Sequence, residues 1–162
     1  MKLKIFILAI LGNLVLSSTS FAFEQKTVEE LKKLSDFKTV DEFVNYQNNY
    51  TQECLDNGFG GSGSIPCFVS YKLWDRELNI YYKKFFNLLN KREQEYLKKL
   101  QTKWLETRDL TMEYNNMLVS EEYSDEGSMY ELLAAGHLDK LNTPMVKERA
   151  LLLKSWYEMT KK

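Results

Sequence analysis

The chain has 162 residues, of which 44% are hydrophobic and 28% charged, and this composition is ordinary for one globular domain. Residues 1–22 contain two lysines and no acidic residue, so the chain beyond them carries 20 basic and 23 acidic side chains. This slightly acidic balance argues against a nucleic-acid partner, because binding to phosphates requires a surplus of Lys and Arg.

The first 22 residues have the pattern of a secretory signal peptide. Lys2 and Lys4 precede the apolar run 5–16, and the small-x-small triplet 20–22 is typical of a cleavage site. The alternative, a membrane anchor, is disfavoured because this run is shorter than the roughly 20 residues that span a bilayer. No cysteine follows the run to accept a lipid. The sequence therefore predicts a periplasmic or secreted protein of a Gram-negative-type bacterium, without a stable membrane anchor after cleavage.

Cys54 and Cys67 are the only cysteines, and an oxidising compartment allows such a pair to persist as a disulfide. Four glycines and Pro66 lie between them, so the chain can turn back on itself. The closed loop is worth roughly 3 kcal/mol in the chain-entropy model. A metal site is the alternative, but two thiols and a single histidine cannot complete a tetrahedral shell. We expect a Cys54–Cys67 disulfide, no metal and no cofactor.

The rest of the chain contains long stretches without Gly or Pro, rich in Leu, Lys, Glu and Tyr, which favour helices. Capping boxes at Thr27, Thr39 and Ser128, each with a glutamate three residues later, predict three helix starts. Thr143 followed by Pro144 predicts a fourth, because proline at the first helical position gives up an amide that would be unpaired anyway.

Two long helices are expected in the middle of the chain. Pro66 begins one over about 67–90, with a broad apolar stripe at three- and four-residue steps, and the next covers about 92–118. We interpret the weak break between them as the turn of an antiparallel hairpin. The fold class is therefore all-α, a small antiparallel bundle of about four to five helices with one disulfide. It spans residues 39–162 and is preceded by a loosely attached arm or short helix over 23–38.

An ordered set of residues runs along these helices. After the two cysteines it comprises Trp74, Asp75, Glu77, Leu78, Asn79, Tyr82, Leu100, Gln101, Trp104, Arg108, Asp109, Gly127, Ser128, Leu138, Leu141, Arg149 and Leu153. The set resembles the lysozyme inhibitor LprI-like family, also called DUF1311, from about residue 54 to the C-terminus. The resemblance implies an exported, disulfide-bonded helical domain of bacteria, with lysozyme inhibition ascribed to some members.

The chain departs from that family at a second cysteine pair. Where many members carry these cysteines, this chain has Met112 and His137. Because both partners are replaced together, no orphan thiol is left. We expect the fold to persist with a weaker constraint on its C-terminal half.

Four polar residues of the motif, Glu77, Asn79, Gln101 and Arg108, lie beside apolar stripes. We interpret them as a buried hydrogen-bond network that joins two helices, because a guanidinium held by a carboxylate and amides would fix their register. The alternative is a catalytic cluster. No carboxylate pair is singled out for glycoside hydrolysis, and His137, without a nucleophile motif, is expected at a helix end or surface. The sequence predicts a protein that is not an enzyme and a motif that is mostly structural.

The acidic stretch between 119 and 127 is expected to be an exposed loop. It is the candidate partner-binding segment because lysozymes are commonly basic, although a solvated loop without a partner is the alternative. Its candidate contact residues are Glu121, Glu122, Tyr123, Asp125 and Glu126. The glycine-rich loop 58–64 is a second candidate surface.

The resulting functional prediction is an exported protein that blocks the cleft of lysozyme or another peptidoglycan hydrolase without covalent chemistry. Two alternatives stay open at this point. One is an immunity or envelope-stress protein that binds another exported partner. The other is a cell-wall-acting enzyme that uses an unrecognised carboxylate pair.

Overall fold

The computed structural model describes residues 23–58 and 60–161, and the predicted signal peptide lies outside them. Within these residues the chain forms four α-helices, two short 3-10 helices and no strand. They are α1 (Val40–Asn57), α2 (Ser70–Phe86), α3 (Lys91–Glu122) and α4 (Ser128–Thr160), with 3-10 helices at Leu34–Asp36 and Gly61–Cys67. The prediction of an all-α bundle is confirmed. None of the described helices is both long and apolar enough to cross a bilayer.

Helices α2 and α3 form the antiparallel hairpin that the sequence predicts. The Tyr71 hydroxyl lies 3.5 Å from the sulfur of Met112, and Asp75 lies 3.8 Å from Arg108, so residue numbers fall along α3 as they rise along α2. The turn is longer than predicted, because α2 ends at Phe86 rather than near residue 90, and α3 begins at Lys91 after a capping box at Asn90.

Helix α4 runs antiparallel to α3 and packs extensively on α2. Arg149 of α4 binds Gln101 of α3, and Asn142 binds Asn115, so the order of contacts is again reversed. The C-terminal turns of α3 extend beyond the first residues of α2. Among the α-helices, these turns therefore pack against α4 only.

The core is centred on Trp74 of α2, which is 1% exposed. The edge of its ring meets Phe43 of α1, with centroids 5.1 Å apart. Helix α4 adds Val146, Ala150 and Leu153, which are fully buried. Burial of each large apolar side chain contributes about 1.5–3 kcal/mol, so this cluster supplies much of the driving force for folding.

The disulfide between Cys54 and Cys67 is confirmed, with Cα atoms 5.5 Å apart. It joins the last turn of α1 to the end of the 3-10 helix Gly61–Cys67, and both cysteines are buried. The glycine-rich loop that it closes packs against α4, since Gly61 lies against Ser128.

Among the predicted helix starts, Thr39 is confirmed as the N-cap of α1 and accepts a hydrogen bond from the Glu42 amide. The start at Thr27 is wrong. Its capping-box contact with Glu30 forms, and the hydrogen bonds from Thr27 lower the pKa of that carboxyl, but only one turn follows. Carbonyl groups of this turn accept hydrogen bonds from Arg76 of α2 instead of from helical amides.

The expectation that residues 23–38 are loosely attached is also wrong. Leu31 and Leu34 are buried in the core, and Phe23 packs on the ring of Tyr50. The segment is held as an irregular strap across α1 and α2.

Pro66 does not begin the first long helix but lies within the 3-10 helix that ends at the disulfide. Helix α2 starts at Ser70, and its local N-cap side chain makes no capping hydrogen bond. Instead, Asp139 of α4 accepts a hydrogen bond of 2.9 Å from the Tyr71 amide. Burial raises the pKa of Asp139, while hydrogen bonds from the start of α2 oppose that rise. A side chain distant in sequence thus caps α2.

The C-terminal part of the chain is one helix, so the predicted start at Thr143 and Pro144 is wrong. Pro144 lies inside α4, where a proline costs about 3 kcal/mol or more. Buried residues that follow it, such as Val146 and Leu153, keep the helix continuous because their packing outweighs this cost. Ser128 is the first helical residue but makes no capping hydrogen bond, since the N-cap position is Gly127.

The disulfide generates a test of stability. Replacement of both cysteines by serine is expected to lower the free energy of unfolding by about 3 kcal/mol, because the 13-residue loop then gains entropy in the unfolded chain. Urea unfolding with and without dithiothreitol measures it, and the double variant, which has no disulfide, should not respond to the reductant. A loss below about 1 kcal/mol would contradict the entropic role.

Candidate functional site

The predicted single network of Glu77, Asn79, Gln101 and Arg108 does not form. Residues two positions apart on a helix point about 200° apart, so Glu77 faces the core while Asn79 faces solvent. Gln101 and Arg108 lie about 10 Å apart along the α3 axis. Asn79 and Arg108 alone are linked, because both contact Asp75, whereas Glu77 binds Arg76 and Gln101 binds Arg149.

Glu77 is the most deeply buried charged residue, at 1% exposure. Arg76 donates to its Oε1 from Nη2 at 2.9 Å and from Nε at 3.2 Å. The same guanidinium donates to the carbonyls of Val28, Leu31 and Lys32 in the N-terminal strap. A buried carboxylate is costly unless it is paired and hydrogen-bonded. Arg76 therefore neutralises the charge of Glu77 and also holds the N-terminal strap on α2.

Arg149 of α4 forms the second contact. Gln101 accepts from its Nε at 3.1 Å and its Nη2 at 3.0 Å, and its guanidinium lies 5.7 Å from the ring centroids of both Trp104 and Trp156. Burial lowers the pKa of Arg149. Cation–π contacts and one amide thus accommodate this cation without a carboxylate. Arg149 therefore acts as a link between α3 and α4.

Several motif residues nevertheless share one surface. A shallow groove between α2 and α3 is lined by Asp75, Leu78, Asn79, Tyr82, Gln101 and Arg108. The groove holds one carboxylate that is tied to Arg108, and no imidazole or thiol lines it. This arrangement fits a helix-pairing role better than acid–base chemistry.

Met112 and His137 occupy unrelated places, so they are not positions that one disulfide could join. Met112 contacts Tyr71 of α2, whereas Nδ1 of His137 lies 3.0 Å from a carboxylate oxygen of Glu122 in α3. Glu122 is ten residues from Met112, or about 15 Å along the helix, and bridged cysteines have Cα atoms within about 7 Å. His137 is also inside α4, which corrects the expectation of a helix end.

The far end of the α3–α4 pair, residues 109–136, which we call the acidic end, has a marked charge imbalance. It contains seven acidic residues and no Lys or Arg. The loop within it is shorter than predicted because α3 continues through Glu122, so Glu121 and Glu122 are helical. Asp125 and Glu126 lie in the loop, and all four carboxylates are exposed. Tyr123 is half-buried against the ring of His137.

Large apolar side chains are exposed beside these carboxylates. They come from both helices and comprise Leu110, Tyr114, Met117, Leu118, Met129, Tyr130 and Leu133. A surface that combines exposed apolar groups with one sign of charge is typical of a protein-interaction site. The sequence analysis identified the carboxylates of this surface but missed its apolar residues. On α3 these could have been found from their three- and four-residue spacing on the side of the helix away from the core.

Within residues 23–58 and 60–161, no group of three or more His, Cys, Asp or Glu side chains is placed to hold a metal ion. The described surface thus offers charge and apolar contact area. It defines a helical, disulfide-bonded domain with an acidic end suited to contact another macromolecule.

Comparison with known families agrees with this class. The family described as lysozyme inhibitor LprI matches residues 67–148, about half of the chain. The chain belongs to the LprI family. The match covers α2, α3 and the first two thirds of α4. No curated protein and no solved structure matches the chain.

Removal of Arg76 tests its neutralising role. Arg76→Met is expected to lower the free energy of unfolding by about 3–5 kcal/mol, because Glu77 then stays buried without a counter-charge. Urea unfolding measures the loss, and the added substitution Glu77→Gln should recover part of it. Lys72→Met, at an exposed position of the same helix, is the control. If Arg76→Met and the control behave alike, the pair does not hold the strap.

Gln101→Leu tests the contact with Arg149. It is expected to cost about 1–3 kcal/mol, because a largely buried guanidinium then loses its hydrogen-bond acceptor. Tryptophan fluorescence should shift with it, since the guanidinium lies against Trp104 and Trp156. Thr102→Leu, on the exposed side of the same turn, should change neither quantity. Unaltered stability of the Gln101 variant would contradict the assigned role.

Proposed function

We propose that the protein is an exported inhibitor that binds lysozyme or another peptidoglycan hydrolase and covers its cleft with the acidic end. The observation that supports this most is the composition of residues 109–136, with seven acidic residues and no Lys or Arg. Membership of the LprI family supports the class of target.

The charge of the acidic end favours a basic partner. A single-sign surface steers an oppositely charged protein towards it and raises the association rate at low salt. Exposed carboxylates alone contribute little affinity, because each surface ion pair is worth about 0–1 kcal/mol. The bulk of the affinity must come from apolar groups that lose water on contact.

The apolar residues around the carboxylates meet that need. Met129 and Leu133 are exposed one turn apart at the start of α4, beside the loop 123–127. At this end α3 and α4 are joined by the short loop 123–127, and the loop closed by the disulfide packs beside them against Ser128. Placed over a cleft, this end would bring its carboxylates among the basic groups of the partner. The mechanism is steric and electrostatic and requires no covalent step.

Two alternatives use the same scaffold. An immunity or envelope-stress protein would present the acidic end to a different basic partner in the same compartment. A cell-wall-acting enzyme would need two carboxylates facing a sugar-binding cleft about 5–9.5 Å apart. The exposed position of the acidic end favours binding over hydrolysis.

The direct test is lysis of a cell-wall suspension by a panel of lysozymes, with and without the oxidised chain from Phe23 onward. Inhibition is expected, and it should weaken as salt screens the carboxylates. A triple charge reversal at the acidic end should raise the inhibition constant at least about tenfold. The reversed residues are Glu121→Lys, Asp125→Lys and Glu126→Lys. Glu122 is kept because it contacts His137.

A matched control has the same change in net charge at exposed positions away from the acidic end. Its substitutions are Glu24→Lys, Glu29→Lys and Glu53→Lys. This variant should inhibit as well as the original chain. Equal loss in both variants would show that only net charge matters. No inhibition across the panel would favour another partner, and release of soluble fragments from purified peptidoglycan would favour the enzyme.

A further inference from the structure

Helix α3 carries an apolar stripe that no described part of the chain covers. Its buried residues, Leu97 and Val119, face the core. The stripe is centred roughly 110° around the helix from Leu97 and roughly 150° from Val119, and it is built at alternating four- and three-residue steps. Its members are Tyr96, Leu100, Lys103, Thr107, Leu110, Tyr114 and Met117, all of them exposed.

The exposed fractions are large for apolar side chains: 68% for Leu110, 60% for Tyr114 and 59% for Tyr96. The spacing repeats every seven residues, as on the contact face of a coiled-coil helix. Single exposed apolar residues need no explanation, but five of them on one face of a helix of 32 residues, interrupted only by Lys103 and Thr107, indicate an interaction surface.

The charges of α3 are divided between its two halves. Residues 91–105 carry five basic and two acidic side chains, whereas residues 106–122 carry five acidic and one basic. A second α3 helix lying antiparallel would place the basic half of each copy against the acidic half of the other. A parallel arrangement would place like charges together. The helix is therefore electrostatically complementary to an antiparallel copy of itself.

The stripe has the same symmetry. With Thr107 opposite its own counterpart, Leu100 lies opposite Tyr114 of the second copy, and Tyr96 lies opposite Leu118, which is also exposed. In the same register Lys99, beside the stripe, lies about 3 Å along the helix axis from Glu113 of the second copy, within reach of its long side chain. The pairing is isologous, as in a two-fold symmetric dimer, so each of these contacts occurs twice.

One unfavourable contact arises near the symmetry axis, where Glu106 approaches its own counterpart. Lys103 lies 2.7 Å from the Glu106 carboxylate in the same helix, which compensates that charge locally. The exposed polar side chains near Thr107 keep the centre of the stripe hydrated, and the apolar contacts lie towards its two ends.

The two ends differ in shape in a way that suits this pairing. Beside Tyr96 and Leu100 is an apolar groove completed by Trp156 and Met159 of α4. At the opposite end of the stripe, Met117 is 57% exposed and borders a second groove with Met112 and Glu113. In the antiparallel register the Met117 end of one copy lies over the groove beside Tyr96 and Leu100 of the other.

We propose that the protein forms a two-fold symmetric dimer through the α3 stripe, with the helices antiparallel and Thr107 at the axis. In this arrangement the dimer covers Leu110, Tyr114 and Met117 of the acidic end, whereas the loop 123–127, with Met129 and Leu133 of α4, lies beyond the paired helix and stays available to a target. Each dimer therefore presents two such loops, at opposite ends.

The test is sedimentation equilibrium of the oxidised chain from Phe23 onward, between about 1 and 200 μM, where a dimer of micromolar Kd dissociates. The original chain is expected to approach twice the monomer mass. Lys99→Glu and Glu113→Lys, made singly, should each raise the dimer Kd about tenfold, because two symmetric contacts become repulsive. The double variant restores opposite charges and should dimerise like the original.

Lys83→Glu, at an exposed position of α2 outside the stripe, is the control and should leave Kd unchanged. Far-ultraviolet circular dichroism shows that each variant is folded. A monomer throughout the concentration range overturns the proposal. A dimer that is insensitive to the single changes, or that the double change does not restore, also overturns it, because the contact then lies elsewhere.

Discussion

The buried carboxylate of Glu77 is the constraint on which much of the fold depends. Helix α2 is central, and at 1% exposure Glu77 has no access to water that could compensate its charge. Arg76 supplies that compensation and directs its other donors at the carbonyls of residues 28–32. The strap is therefore irregular because its carbonyls bind a guanidinium rather than helical amides. One ion pair thus determines both the neutrality of the core and the path of the N-terminal segment.

Helices α3 and α4 are held together mainly by polar contacts. Their long antiparallel contact is joined by polar links, including Gln101 with Arg149 and Asn115 with Asn142, rather than by a dense apolar core. Polar links fix register with little burial, which leaves one side of α3 exposed along its length. The surfaces proposed for the target and for a second copy both follow from this sparse packing.

The fold class, the disulfide and the α2–α3 hairpin could be predicted because they rest on local composition, spacing and capping. The predictions that were wrong each involve contacts distant in sequence. The contact of Thr27 with the Glu30 carboxylate forms, but carbonyls of the turn that follows accept hydrogen bonds from Arg76 instead of continuing a helix. Pro144 remains helical because α4 packs on both sides of it. The acidic residues of the candidate site were visible, whereas their apolar neighbours require knowledge of which side of α3 faces the core. The roles of these residues remain predictions.

The cap of α2 has a consequence for the order of folding. Asp139 caps the N-terminus of α2 from 68 residues further along the chain. The Tyr71 amide therefore has no acceptor from Asp139 until α4 has packed on α2. Contacts of such separation slow folding, since a long loop must close before they contribute. During synthesis the N-terminus leaves the ribosome first, so the chain stays incompletely structured until its last fifth has been made. In the export proposed for this protein, such a delay would keep the segment already synthesised competent for passage through a translocation pore.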